Sequence, residues 1–263
     1  MIPTPPQDKD FPYWLVVATG LAVYFSYRIV SDDLYTQVLS TLTKGIGITI
    51  FVTLVAFLMA SILGLILAVG SLSRFLVLRQ ISRFYIEIVR GVPIIVLLLY
   101  VAFVLAPGLV ICWNWVVEGI GFDPIRNRDF SLMWRAIIAL TIGYSAFIAE
   151  VFRAGLQSID IGQIEASKSL GLKGWHRFRL IVFPQAIRTI LPPLGNDFVA
   201  MIKDSSLVSV LGVLDITQLG KVTAAGNFRY FETYNVVALI YLVITVGLSL
   251  LLRRLERRLR QKY

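Results

Sequence analysis

The sequence is poor in the groups from which enzyme sites are built. Its 263 residues include one cysteine, Cys112, and one histidine, His176. A single cysteine excludes an internal disulfide framework and a thiolate metal cluster. A single histidine excludes a multi-histidine metal site and the His-Glu-x-x-His helix motif. It also leaves no evident Ser–His–Asp set, because His176 sits in a strongly basic stretch. There is no G-x-x-x-x-G-K-[ST] loop, so the chain does not bind ATP by that device. No catalytic residue, no metal site and no cofactor bound by this chain is expected. Charge is scarce as well: 16% of residues are charged, against about 25% in a soluble domain.

What the chain has instead is apolar residues, 57% of the total, with a mean hydropathy of +0.77. That balance predicts an all-α polytopic membrane protein. A bilayer crossing needs roughly 20 mostly apolar residues. About six such segments occur: 13–30, 46–70, 92–117, 135–157, 190–214 and 233–252. The second carries no charge. The fifth is interrupted by Asp197, Lys203 and Asp204. The opening is proline-rich and lacks a basic start, which argues against a cleavable signal peptide and for a retained first span.

Six crossings put both termini on one side. Most of the 25 lysines and arginines fall there, in the connection holding Arg74, Arg79, Arg83 and Arg90, in the stretch from Arg153 to Arg188, and in the tail from Arg253. Positive charge marks the cytoplasm, so both termini are expected inside. The net charge of +9 then reads as cytoplasmic loops facing membrane lipid, not as a nucleic-acid surface. The expected organisation is one transmembrane domain over 1–263. It comprises an N-terminal extra helix (1–43), a core (44–252) with a cytoplasmic loop (158–184), and a basic tail (253–263).

Polar residues at membrane depth suggest a transport path. In "YSAFIAEVFRAGLQS", Glu150, Arg153 and Gln157 share one helix face. They read either as a structural pair at the interface or as part of a pathway. In "LPPLGNDFVAMIKDSSLVSVLGVL", Pro192, Pro193 and Gly195 precede Asn196 and Asp197, and a second break is expected at Lys203, Asp204 and Ser205. Interrupted membrane helices expose backbone ends to polar solutes. Lys203 and Asp204 are expected to face water or each other. A further pattern, Ala56, Ala60, Gly64 and Ala68, makes a smooth ridge for close helix packing, within the chain or between subunits.

The stretch "EASKSLGLKGWHRFRLIVFP" is too polar for lipid. Asp160, with Gln163 as reciprocal partner, caps a short helix that ends at Gly171. Gly174 then allows a turn into a second short helix, Trp175 to Phe183. On physical grounds partner docking and lipid contact both fit this element.

Glu165, Ala166, Ser167, Gly171, Ile181, Phe183 and Pro184 follow the pattern E-A-A, three residues, Gly, nine residues, Ile, one residue, Leu-Pro. Ser167 and Phe183 replace an alanine and a leucine. This resembles the cytoplasmic loop signature of permease subunits of bacterial ABC importers. "EIVRGVPIIVLLLY", "AEVFRAGLQSIDIGQIEAS" and "KDSSLVSVLGVLDIT" are similar to segments of the polar amino acid branch of that family. The resemblance spans roughly 44–252 and leaves the first span as an addition to a five-helix core. It implies a multi-pass protein of the bacterial cytoplasmic membrane that forms half of an amino acid pathway. It implies four partners: a second permease subunit, a solute-binding protein, an amino acid substrate, and a separate ATPase that holds ATP and magnesium. It further implies that Glu165, Ala166, Ser167, Gly171 and Leu172 couple the chain to that ATPase. The competing expectations are a self-contained secondary carrier or channel and a non-transporting membrane scaffold. A carrier would not require the docking loop, and the scaffold leaves Lys203 and Asp204 unexplained.

Overall fold

A computed structural model describes residues 13–118 and 123–261. The opening stretch 1–12, where an uncleaved start is expected, and Lys262 of the tail lie outside them. The described residues form helices and turns with no strand. Four helices are long and apolar enough to cross a bilayer: Asp33–Ser71, Ile94–Glu118, Leu132–Gln157 and Tyr230–Leu255. The other two expected crossings are also helical. Tyr13–Ser31 is α1, and Phe183–Asp204, the polar one, is α9.

Helix α2, Asp33–Ser71, is far longer than its apolar run. Its 39 residues span ~58 Å at 1.5 Å each, nearly twice a hydrocarbon core. Asp32 caps it by accepting the Leu34 amide at 3.0 Å. The first turns bury Tyr35, Val38 and Leu42 against Ile216 of α10 (Ile216–Asn227) and Val236 and Ile240 of α11 (Tyr230–Gln261). The expected division at residue 43 therefore falls inside a continuous helix.

Helix α6, Leu132–Gln157, is the most buried of the long helices and lies along α2. The ridge Ala56, Ala60, Gly64 and Ala68 is fully used here, within the chain. A Cβ on Gly64 would sit 3.0 Å from the Ser145 carbonyl oxygen and 3.1 Å from the Ala149 amide. Small residues let the two backbones touch, which is the main source of helix association where lipid removes the hydrophobic drive.

Residues expected as a basic connection form α3, Leu76–Gly91. Val77, Ile81, Phe84 and Ile88 are exposed on it, while Ser82, Ile86 and Val89 face the bundle. The Tyr85 hydroxyl reaches the Ile142 carbonyl at 3.2 Å and Ser145 Oγ at 2.9 Å on α6. Pro93, which has no amide hydrogen, then starts α4 (Ile94–Tyr100). A π turn, Val101–Leu105, joins α4 to α5 (Ala106–Glu118). At that turn the buried Arg135 guanidinium donates to the Ala102 carbonyl at 2.7 Å and to the Phe130 carbonyl at 3.0 Å. Asn127 accepts from it as well. A buried cation is thus satisfied by dipoles, and it pins the 127–130 loop over the bundle end.

Two further expectations change. Pro192 and Pro193 do not break the fifth span: α9 runs through both. The second short helix does not stand alone either. Gly174–Arg177 (α8) continues through a π turn, Phe178–Val182, into α9. The helical rod therefore runs from Gly174 to Asp204 and gives way to a 3-10 helix only at Ser205–Leu211.

The close α2–α6 contact makes Gly64→Leu an overpacking change, expected to cost about 1–3 kcal/mol. A lowered melting temperature of the detergent-solubilised protein is the readout. Gly47→Ala, where a Cβ meets nothing within 4 Å, should show no such loss.

Candidate functional site

The projecting loop is built from short-range chemistry. Asp160 Oδ1 accepts the Gln163 amide at 3.3 Å and opens α7, Ile161–Ser169. The reciprocal half of the expected cap is absent. The Gln163 side chain instead accepts from Gln185 Nε2 at 2.6 Å, which ties α7 to α9. Ile164 packs beneath it onto the cluster of Ile159, Ala186 and Ile190. At the other end Gly171 adopts φ +72°. Its amide donates to the Lys168 carbonyl at 2.9 Å and the Leu172 amide to the Ser167 carbonyl at 3.0 Å. This paired closure needs a left-handed residue, the conformation glycine takes without penalty. Gly174, by contrast, is the first residue of α8 and not a left-handed turn residue.

Of the residues expected to couple, Glu165, Ala166 and Gly171 are exposed and Leu172 is half-buried. Ser167 faces inward and is buried, its hydroxyl donating to the Ile164 carbonyl at 2.6 Å. That internal bond explains why serine fits where the signature has alanine. Leu170 is 79% exposed and Trp175 66%, so the knob presents an apolar tip beside its charges.

Glu150, Arg153 and Gln157 do come together. Arg153 Nε donates to Glu150 Oε2 at 3.1 Å and Nη1 to Gln157 Oε1 at 2.7 Å. They are more than a surface pair, because they line a cavity of about 290 Å³ with Ser71, Arg83, Ile86 and Glu87. The lining holds two guanidinium and two carboxylate groups, of which Arg153 and Glu150 pair with each other. Arg83 and Glu87 escaped sequence reasoning. Their signal was the i, i+4 spacing of opposite charges on α3.

The fifth-span residues divide between two faces of α9. Asp204 does not pair with Lys203. It accepts from the Tyr144 hydroxyl of α6 at 2.7 Å. Asp197, two turns earlier, has a buried Oδ2 with no hydrogen-bond partner among the described residues. Ser205 is buried and donates to the Ile202 carbonyl at 2.7 Å. Asn196 and Lys203 are exposed, together with Thr189. These three recur every seven residues and so form one polar stripe along the helix. Tyr144 lies 60 positions from Asp204, too far for any local pattern to reveal.

Residues 60–261 match the family described as the binding-protein-dependent transport system inner membrane component. The probable amino-acid permease protein YxeN of Bacillus subtilis (strain 168) is 39% identical over 85% of this chain and 93% of its own length. The glutamine transport system permease protein GlnP of Escherichia coli (strain K12) is 34% identical over 83% and 93%. A solved structure described as an amino acid ABC transporter with histidines superposes with a TM-score of 0.71 at 34% identity, covering 88% of this chain and 98% of that one. The MetNI methionine ABC transporter, at 20% identity and a TM-score of 0.63, shares the fold.

Replacing Tyr144 by Phe should cost roughly 1–3 kcal/mol, because Asp204 loses a buried donor. The melting temperature of the purified chain reads this directly, and an unchanged value would show that the contact contributes nothing. The close superposition and the matched 60–261 segment set aside the self-contained carrier: the chain belongs to the family of inner membrane components of binding-protein-dependent transport systems, as a permease subunit of an ABC importer.

Proposed function

We propose that this chain forms half of the translocation pathway of an importer for polar or charged amino acids in a bacterial cytoplasmic membrane. The observation that carries the reading is the α7 knob, whose Glu165, Ala166 and Gly171 stand exposed on a helix bolted to the α8–α9 rod. The names of the relatives at 39% and 34% identity support the amino acid class.

In this reading α1, α2, the α3–α5 path, α6, α9 and α11 are the six crossings, with both termini and α7 in the cytoplasm. A separate ATPase, carrying ATP and magnesium, receives the knob. Glu165 anchors it by hydrogen bonding, Ala166 and Gly171 allow close approach, and Leu172 packs at its base. Ser167, being buried, holds the helix in shape. A solute-binding protein delivers substrate on the other side.

The exposed stripe of Thr189, Asn196 and Lys203 supports a second permease subunit, identical or paralogous. A lysine facing lipid at this depth is costly. A facing subunit across a water-filled path removes that cost. Asp197 and Asp204 line the inner side of the same helix, and Asp204 and Ser205 stand where it gives way to the 3-10 helix. Glu150, Arg153 and Gln157, with Arg83 and Glu87, offer a place where an ammonium and a carboxylate can both be matched. ATP-driven closure of the ATPase would move α7 and α9 together and switch the path between inward- and outward-open states.

Gly171→Asp should leave membrane insertion intact and abolish transport-stimulated ATPase activity. Full stimulation in that variant would overturn the coupling role. Glu150→Gln and Asp204→Asn should each change the KM or Vmax of amino acid uptake in membrane vesicles at normal expression. Unchanged kinetics in both would reduce those residues to structural ones.

A further inference from the structure

The α8–α9 rod has a flank that α7 does not use. Val182 packs on the cluster of Ile159, Ala186 and Ile190, and Gln185 bonds Gln163, so that side of the rod faces α7. Lys173, His176, Arg179, Leu180 and Phe183 are exposed instead. From His176 onward they recur at spacings of three, one and three, which at about 100° per residue keeps them on one side. Leu180 is 60% exposed and Phe183 50%. Trp175, also exposed, stacks on Phe178 with centroids 6.0 Å apart, and Phe178 meets Phe183 at 5.9 Å.

This flank is graded along its axis. The apolar residues stand nearest the membrane-crossing part of α9, and the cations stand farther out. Arg179 lies ~6 Å along the axis from Phe183, within the roughly 5–8 Å of a headgroup layer. Helix side chains tilt toward the N-terminus, which at this end carries the long cationic ones away from hydrocarbon. Neither Lys173 nor Arg179 forms a salt bridge among the described residues. No acidic residue occurs in the sequence between Glu165 and Asp197.

We propose that this flank binds anionic phospholipid headgroups at the cytoplasmic face of the bilayer. Phe183 and Leu180 enter the acyl boundary, Trp175 lies in the interfacial layer that tryptophan favours, and Lys173 and Arg179 each reach a phosphate. Partner docking and lipid contact, both open on the sequence alone, are thereby divided between two arms: α7 projects to a partner, while α8 and the π turn rest on lipid. Charge and place together select the occupant. Unpaired cations are matched by an anionic surface, and exposed apolar side chains at the foot of a membrane crossing meet hydrocarbon. The site requires α9 to cross the bilayer as proposed above. It is independent of which solute is carried and of the ATPase.

Spin labels placed one at a time at Leu180, Leu191 and Ser169, in a Cys112→Ser background, test the placement. The full chain is held without an ATPase in vesicles of phosphatidylcholine and phosphatidylglycerol. The Leu180 label should be open to oxygen and shielded from a water-soluble nickel chelate, and the Ser169 label on α7 should be open to the chelate. A chelate-exposed Leu191 label overturns the crossing and the site with it. A shielded Leu191 label with a chelate-exposed Leu180 label overturns only the lipid contact, and shielding of Leu180 that appears solely on adding an ATPase assigns the flank to that partner. Native mass spectrometry of the same chain tests the charge. Joint Lys173→Gln and Arg179→Gln replacement should remove at least one retained phosphatidylglycerol, and Lys168→Gln on α7 should remove none. Unchanged retention in the double variant overturns the proposal, as does equal loss in Lys168→Gln.

Discussion

The close approach of α2 and α6 is the contact on which the other placements depend. Ala56, Ala60, Gly64 and Ala68 let the two backbones meet, and α6 thereby becomes a fixed wall at the centre of the subunit. Three things are then positioned from it. Tyr144 holds Asp204 at the end of α9. Glu150 and Arg153 face α3 across the polar cavity. Ser145 and Ile142 receive Tyr85, which fixes α3 itself. In a bilayer such contacts carry more of the specificity than apolar burial does, because lipid tails are as apolar as leucine.

Against that wall α9 is one rod. It begins as α8 at the foot of the knob and reaches Asp204 without a break. Proline at 192 and 193 removes two amide donors without ending the helix. Within a bilayer an unwound segment would leave more backbone groups unpaired than the prolines do. The rod is fastened to α7 by Gln163–Gln185 and by Ile164. In the proposed coupling, displacement of the knob passes along this rod to the polar stripe and to the Tyr144–Asp204 contact. This arrangement gives physical content to the proposed coupling to a separate ATPase.

Much of the site was legible in the sequence where its chemistry is local. The Asp160 cap, the Gly171 closure and the Glu150–Arg153–Gln157 face all follow from residues within a turn or two of one another. What was not legible depends on packing. Helix α3 was not legible because its arginines marked the stretch as a basic connection, although Arg79, Arg83 and Arg90 recur at helical spacing. Tyr144 and Arg135 gave no signal because their partners lie on other elements. The Pro192–Pro193 pair was misread as a break because proline propensity in water overstates its effect in lipid.

The central claim is that α7 and α9 move as one body. Spin labels at Ser169 on α7 and Asn196 on α9, in a Cys112→Ser background, report it by pulsed dipolar spectroscopy on the assembled transporter. One labelled permease subunit per complex keeps the reading unambiguous. The account predicts the same distance distribution with and without ATP trapped in the ATPase. A shift or a second distance population on trapping would contradict it, because the knob would then move without carrying α9.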